Sequence, residues 1–79
     1  MPLYYFDLLD GDTLVRDEEG QDLPDVEAAR CECIESAREL IASGVRKGID
    51  VTHRLSFRVR DESDDIVVEV PFRTTLKPS

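Results

Sequence analysis

The stretch Asp25-Val26-Glu27-Ala28-Ala29-Arg30-Cys31-Glu32-Cys33-Ile34-Glu35-Ser36-Ala37-Arg38-Glu39-Leu40-Ile41 decides the fold, because it carries the long helical period of the sequence. Val26, Ala29, Cys33, Ala37, Leu40 and Ile41 fall on one stripe, with Ile34 beside it. Glu27, Arg30, Cys31, Glu35, Arg38 and Glu39 lie mostly off that stripe. Asp25 follows Pro24 and is the N-cap, a short acceptor for the free N–H groups of the first turn. Arg46-Lys47-Gly48 is the stop: cations in the last turn, then a glycine. Gly44 is the earlier alternative, but the apolar period runs on through Val45.

On either side of this helix the period changes to two. Leu3 to Leu9 reads as a strand with Tyr4, Phe6 and Leu8 on the core face and Tyr5, Asp7 and Leu9 on the other. Asp10-Gly11-Asp12 is a hairpin signal, and Thr13 to Asp17 is the returning strand. Glu18-Glu19-Gly20 turns the chain, and Gln21 to Leu23 is an extended link into Pro24. After the helix, Ile49 to His53 is a connector. Leu55, Phe57 and Val59 alternate with Ser56, Arg58 and Arg60 as a half-buried strand. Asp61 to Asp65 is a polar turn. Ile66, Val68, Val70 and Phe72 form the inward face of the last strand, with Val67, Glu69 and Pro71 outward. The expected fold is α+β, in the order β-β-α-β-β, with one helix on one face of a small antiparallel sheet. Residues 1–73 form the single domain and 74–79 a flexible tail. The expected core is Tyr4, Phe6, Leu8, Val26, Ala29, Cys33, Ala37, Leu40, Leu55, Phe57, Val59, Ile66, Val68, Val70 and Phe72.

The chain has 79 residues and a net charge of -8. Its length suits one domain with a small core, for which oligomerisation is a common remedy. The acidity disfavours non-specific binding to a phosphate backbone. Met1-Pro2-Leu3-Tyr4-Tyr5-Phe6 lacks a basic flank and is interrupted by Asp7, so the sequence predicts no signal peptide, no membrane span and a cytoplasmic location.

No catalytic, cofactor or metal motif survives its spacing. Asp10 and Asp12 begin like a calcium loop, but Val15 and Gln21 stand where Gly and Glu are needed. His53 is the only histidine, and zinc would need Cys or carboxylate support. Cys31 and Cys33 point about 200° apart on a helix, so they neither pair nor share a metal. Glu27 and Glu35, one turn either side of Cys31, oppose a reactive thiolate. The glycines are isolated and form no phosphate loop. What remains is the outward sheet face. Tyr5, Leu9, Arg58, Arg60 and Val67 are the candidate partner surface, and Asp7 and Glu69 lie where they neutralise the arginines across strands.

Met1-Pro2-Leu3-Tyr4-Tyr5-Phe6-Asp7, Asp10-Gly11-Asp12, Asp17-Glu18-Glu19-Gly20, Leu23-Pro24-Asp25, Glu27-Ala28-Ala29 and Val70-Pro71-Phe72-Arg73 together resemble a family of short stand-alone proteins. That family is abundant in rhizobia and related alphaproteobacteria and is classed as a domain of unknown function. The resemblance covers nearly the whole chain and implies no activity, ligand or catalytic residue. Leu23-Pro24-Asp25 before an acidic, Ala-rich helix is also similar to small antitoxin domains that pair with an RNA-cleaving toxin. The leading expectation is a non-enzymatic protein-binding or homodimerising module. The alternative is an antitoxin-like or nucleic-acid-linked regulatory subunit. No cofactor, small-molecule substrate or membrane partner is expected.

Overall fold

The computed structural model describes residues 2–76. Among them the strands are β1 (Leu3–Asp10), β2 (Thr13–Val15), β3 (Gln21–Asp22), β4 (Leu55–Arg60) and β5 (Ile66–Pro71), with one α-helix, α1 (Val26–Arg46), and a closing 3-10 helix, Phe72–Leu76. The sheet is antiparallel, in the order β2-β1-β4-β5. β2 and β3 pair along the same side of β1, β2 with Leu8 to Asp10 and β3 with Leu3 and Tyr4. The expected α+β arrangement is therefore observed, with the predicted link at Gln21 now a short strand.

Local chemistry sets the ends of α1. The Asp25 carboxylate accepts from the Ala28 N–H at 2.9 Å. At the other end Gly48 takes φ 76°. Its N–H donates to the Val45 carbonyl at 3.0 Å, and the Ile49 N–H donates to the Gly44 carbonyl at 2.7 Å. Those two bonds are a Schellman cap, which needs a residue tolerant of positive φ at this point. Gly44 stays inside the helix for another reason. A Cβ there would lie 2.7 Å from the Ile49 carbonyl oxygen. Gly44→Ala therefore gains helix propensity but forces backbone apart, and should destabilise the chain by about 1–3 kcal/mol in a urea melt.

The core is Tyr4, Ala29, Cys33, Ala37, Ile41, Val51, Phe57, Val59, Val68, Val70 and Phe72. The Phe57 and Phe72 rings sit 5.2 Å apart. The structure departs from the sequence pattern in α1, in β5 and after Pro71, and Ile41 and Val51 join the core. The buried ridge of α1 runs Ala29, Cys33, Ala37, Ile41. Steps of four drift slowly round a helix, so this ridge leans toward Ile41 and leaves Leu40 42% exposed. A register shift between Val59 and Arg60 places Ile66 opposite Arg60, where regular pairing would place Val67. Ile66 thus leaves the core face and is 51% exposed, while Val67, expected outward, packs against the core. Finally, Phe72–Leu76 is helical, with Thr75 buried and its carbonyl accepting from Arg38 Nε at 3.2 Å. Residues 74–76 thus belong to the fold and not to a tail; the expected tail at 77–79 lies outside the described residues.

Candidate functional site

Period-two alternation sends Tyr5, Asp7 and Leu9 to the face away from the helix, and cross-strand pairing sets Arg60, Arg58 and Ser56 opposite them. Leu14 lies opposite Leu9, and Glu69 and Pro71 lie opposite Arg58 and Ser56. All of these share one face. It divides into a closed half and an open half.

The closed half is a polar network. Asp7 is 1% exposed. Arg60 Nε donates to its Oδ2 at 2.7 Å and Arg60 Nη2 to its Oδ1 at 3.1 Å. The second of these bonds makes the pair bidentate. Arg60 Nη1 donates to Asp64 Oδ1 at 2.8 Å. Asp64 is presented there by the Asp61–Asp65 turn, in which it takes φ 67°, a conformation that Asp tolerates. The loop after β2 folds onto the same pair. The Asp17 N–H donates to Asp7 Oδ1 at 2.9 Å, and the Asp17 carbonyl accepts from Arg60 Nη2 at 3.1 Å. The Asp17 carboxylate in turn accepts from the N–H groups of Phe6, Glu19 and Gly20. It satisfies the part of β1 that neither β2 nor β3 reaches. Gly20 closes against Tyr5, where a Cβ would lie 2.9 Å from the ring. The Arg60 guanidinium stands 4.9 Å from the centre of that ring, within cation–π range.

Burial alone would raise the Asp7 carboxyl. The Arg60 hydrogen bond, the Asp17 amide and the charges of Arg60 and Arg16 outweigh it and hold Asp7 below its ordinary 3.8. Asp17 is likewise pushed up by burial, then held below 3.8 by the Phe6, Gly20 and Glu19 amides. Hydrogen bonding to Asp7 is the main reason the Arg60 guanidinium holds its proton more tightly than usual.

The sequence reading placed Tyr5 and Arg60 on the partner surface. The structure instead commits them to this network, with the Arg60 side chain 11% exposed. Val67 is half-buried and packs against the core. Leu9 and Arg58 remain on the open half, joined by Leu14, Glu69 and Pro71. There Arg58 makes only a loose ion pair with Glu69, 3.8 Å long. Its Nε is buried and has no hydrogen-bond partner among the described residues. Leu14 is the member that pattern reading undervalued. The signal was its position beside the Gly11 turn, which fixes its register opposite Leu9.

Elsewhere, burial pushes the Cys33 thiol up to about 12, so this cysteine packs as an apolar side chain. Cys31 is exposed. His53 is exposed in the turn before β4. Among the described residues no group of three or more His, Cys, Asp or Glu side chains is placed to hold a metal ion, and no cavity is found. No helix among them is long and apolar enough to cross a membrane.

Among the described residues, one helix on a five-stranded antiparallel sheet, with half of the opposite face left open, defines a small α+β domain without an enclosed site. The family model described as Domain of unknown function (DUF6894) matches residues 3–73, and the chain belongs to that family. No curated protein and no solved structure matches it.

Proposed function

We propose that the chain is a non-enzymatic protein-binding module and that the open half of the outward sheet face is its contact surface. The observation that carries this reading is Arg58. Its buried Nε lacks an acceptor among the described residues; Asp7 and Glu69 lie directly opposite Arg58, and Leu9 and Pro71 lie diagonally across from it, with Leu14 beyond Leu9. A buried donor without a partner costs about 1–3 kcal/mol, and a docked chain that draws the half-buried guanidinium outward to its own acceptor recovers it. Arginine beside apolar side chains is also a composition that contact surfaces favour. The regulatory alternative, an antitoxin-like or nucleic-acid-linked subunit, draws on arginines of the same face. It finds less support, because Arg60 is consumed by Asp7 and Asp64 and the chain carries a net charge of -8.

The test is affinity capture from native lysate with the parent and with Leu9→Glu/Arg58→Glu. Arg58 lies opposite Asp7 and Glu69, so a glutamate there costs some stability; a circular-dichroism melt establishes that the variant folds, and Leu9→Lys/Arg58→Gln replaces it if it does not. A protein captured by the parent should be lost with the variant. Equal capture by both would remove this face from the account.

A further inference from the structure

We propose that the partner is a second copy of this chain, joined by antiparallel pairing of β2 with β2 across a two-fold axis at Leu14. This rests on the reading of the chain as a protein-binding module, and it names both the edge and the partner.

β2 is the last strand on its side of the sheet. Every residue from Asp12 to Arg16 is exposed, including Leu14 at 42% and Val15 at 54%. An edge strand of this kind is normally blunted by an inward charge, a proline or a cover. Thr13-Leu14-Val15 carries no charge or proline and no described residue covers it, but at three residues it is short, which limits the pairing to a weak contact.

The turn fixes which groups are free. Gly11 has φ 60°, and Asp10 pairs with Thr13 across the two-residue turn Gly11–Asp12. In such a hairpin the closing pair exchanges both backbone hydrogen bonds, so the next pair, Leu9 with Leu14, exchanges none. The N–H and C=O of Leu14 therefore point away from β1, toward the open edge. Two copies related by a two-fold axis at Leu14 satisfy each other there.

Charge selects the register. Pairing centred on Leu14 sets Thr13 against Val15 of the second copy, and Asp12 against Arg16 of the second copy, each twice. Both ends of the segment then meet an opposite charge. A shift of register by two residues loses this match. Among the described residues Arg16 has one loose, exposed ion pair, with Asp64 at 3.6 Å, and so remains available. The pairing also continues an apolar strip across the sheet face, Leu9 and Leu14 of one copy meeting Leu14 and Leu9 of the other. The net charge of -8 opposes association, so the contact needs salt that screens beyond about 8 Å. A contact this short belongs with weak interfaces, with a Kd on the order of 100 µM.

Sedimentation equilibrium on the full chain at about 0.15 M salt, up to about 1 mM, tests the proposal. The parent should dimerise. Arg16→Asp and Asp12→Arg should each weaken this at least ~10-fold, because like charges then face each other at both ends. An equimolar mixture of the two variants should associate as a heterodimer within ~3-fold of the parent affinity, since every facing pair is again opposite. If Asp12→Arg does not fold, a series at Arg16 alone serves: affinity should fall in the order Arg, Ala, Glu. Single variants that dimerise like the parent, or a mixture that restores nothing, would overturn the β2 pairing. A monomeric parent overturns self-pairing altogether. The sheet-face reading is decided separately, by the capture experiment with Leu9→Glu/Arg58→Glu.

Discussion

Phe57→Ala should lower stability by about 3–5 kcal/mol, enough to leave most molecules of a chain this small unfolded. Phe57 is 8% exposed and packs its ring against the fully buried Phe72, 5.2 Å away. Phe57 pairs with Leu8 on one side and Val70 on the other, so the cavity would open at the centre of the sheet. The helix offers little to fill it, because its buried residues are Ala29, Cys33, Ala37, Ile41 and Gly44. Urea melts followed by circular dichroism check this. A variant that melts cooperatively near the parent midpoint would contradict the packing.

Arg60→Met should cost a similar amount, about 3–5 kcal/mol, for a different reason. It leaves the Asp7 carboxylate buried without its counter-charge, since Arg60 supplies two of its hydrogen bonds. It also frees the Asp17 carbonyl and loosens the loop that closes over Tyr5. The double variant Asp7→Leu/Arg60→Met should lose much less than the sum of its single changes, because no unpaired charge remains. The pH profile follows from the same network. Asp7 and Asp17 titrate below their ordinary 3.8 in the folded chain. A carboxyl depressed by folding stabilises fully above its unfolded value, and that contribution is lost as pH falls through the folded value. The parent should therefore hold its stability at neutral pH and lose it steeply below about pH 4. Asp7→Asn should flatten that loss. A parent whose stability is constant from pH 6 to pH 2 would contradict the network (both limits are about two units from the transition).

The sequence made some of this legible and not the rest, and the division follows the range of the forces. The limits of the helix were readable because Asp25 and Gly48 act within one turn of themselves. The strand faces around Phe57 were readable because alternation is local. Asp7 was assigned to the outward face correctly, but its burial depends on Arg60, 53 residues away in sequence. The loop that covers it depends on Asp17 bonding to β1, which no local pattern specifies. Ile66 and Val67 exchanged roles because the register shift opposite Arg60 is a property of two strands together. The open surface is therefore smaller than alternation alone suggests: Tyr5 and Arg60 are engaged with each other and Arg60 with Asp7, Val67 packs against the core, and Leu14 is added at the edge.

The most direct test of the account is an NMR dilution series of backbone amide signals, from about 1 mM to about 20 µM at about 0.15 M salt. Association through the β2 edge predicts concentration-dependent shifts confined to residues 12–16 and Leu9, with the Leu14 amide moving most and exchanging more slowly as concentration rises. Signals that stay fixed over the whole range, or shifts that map to Ile66–Pro71 and leave Leu14 still, would contradict it.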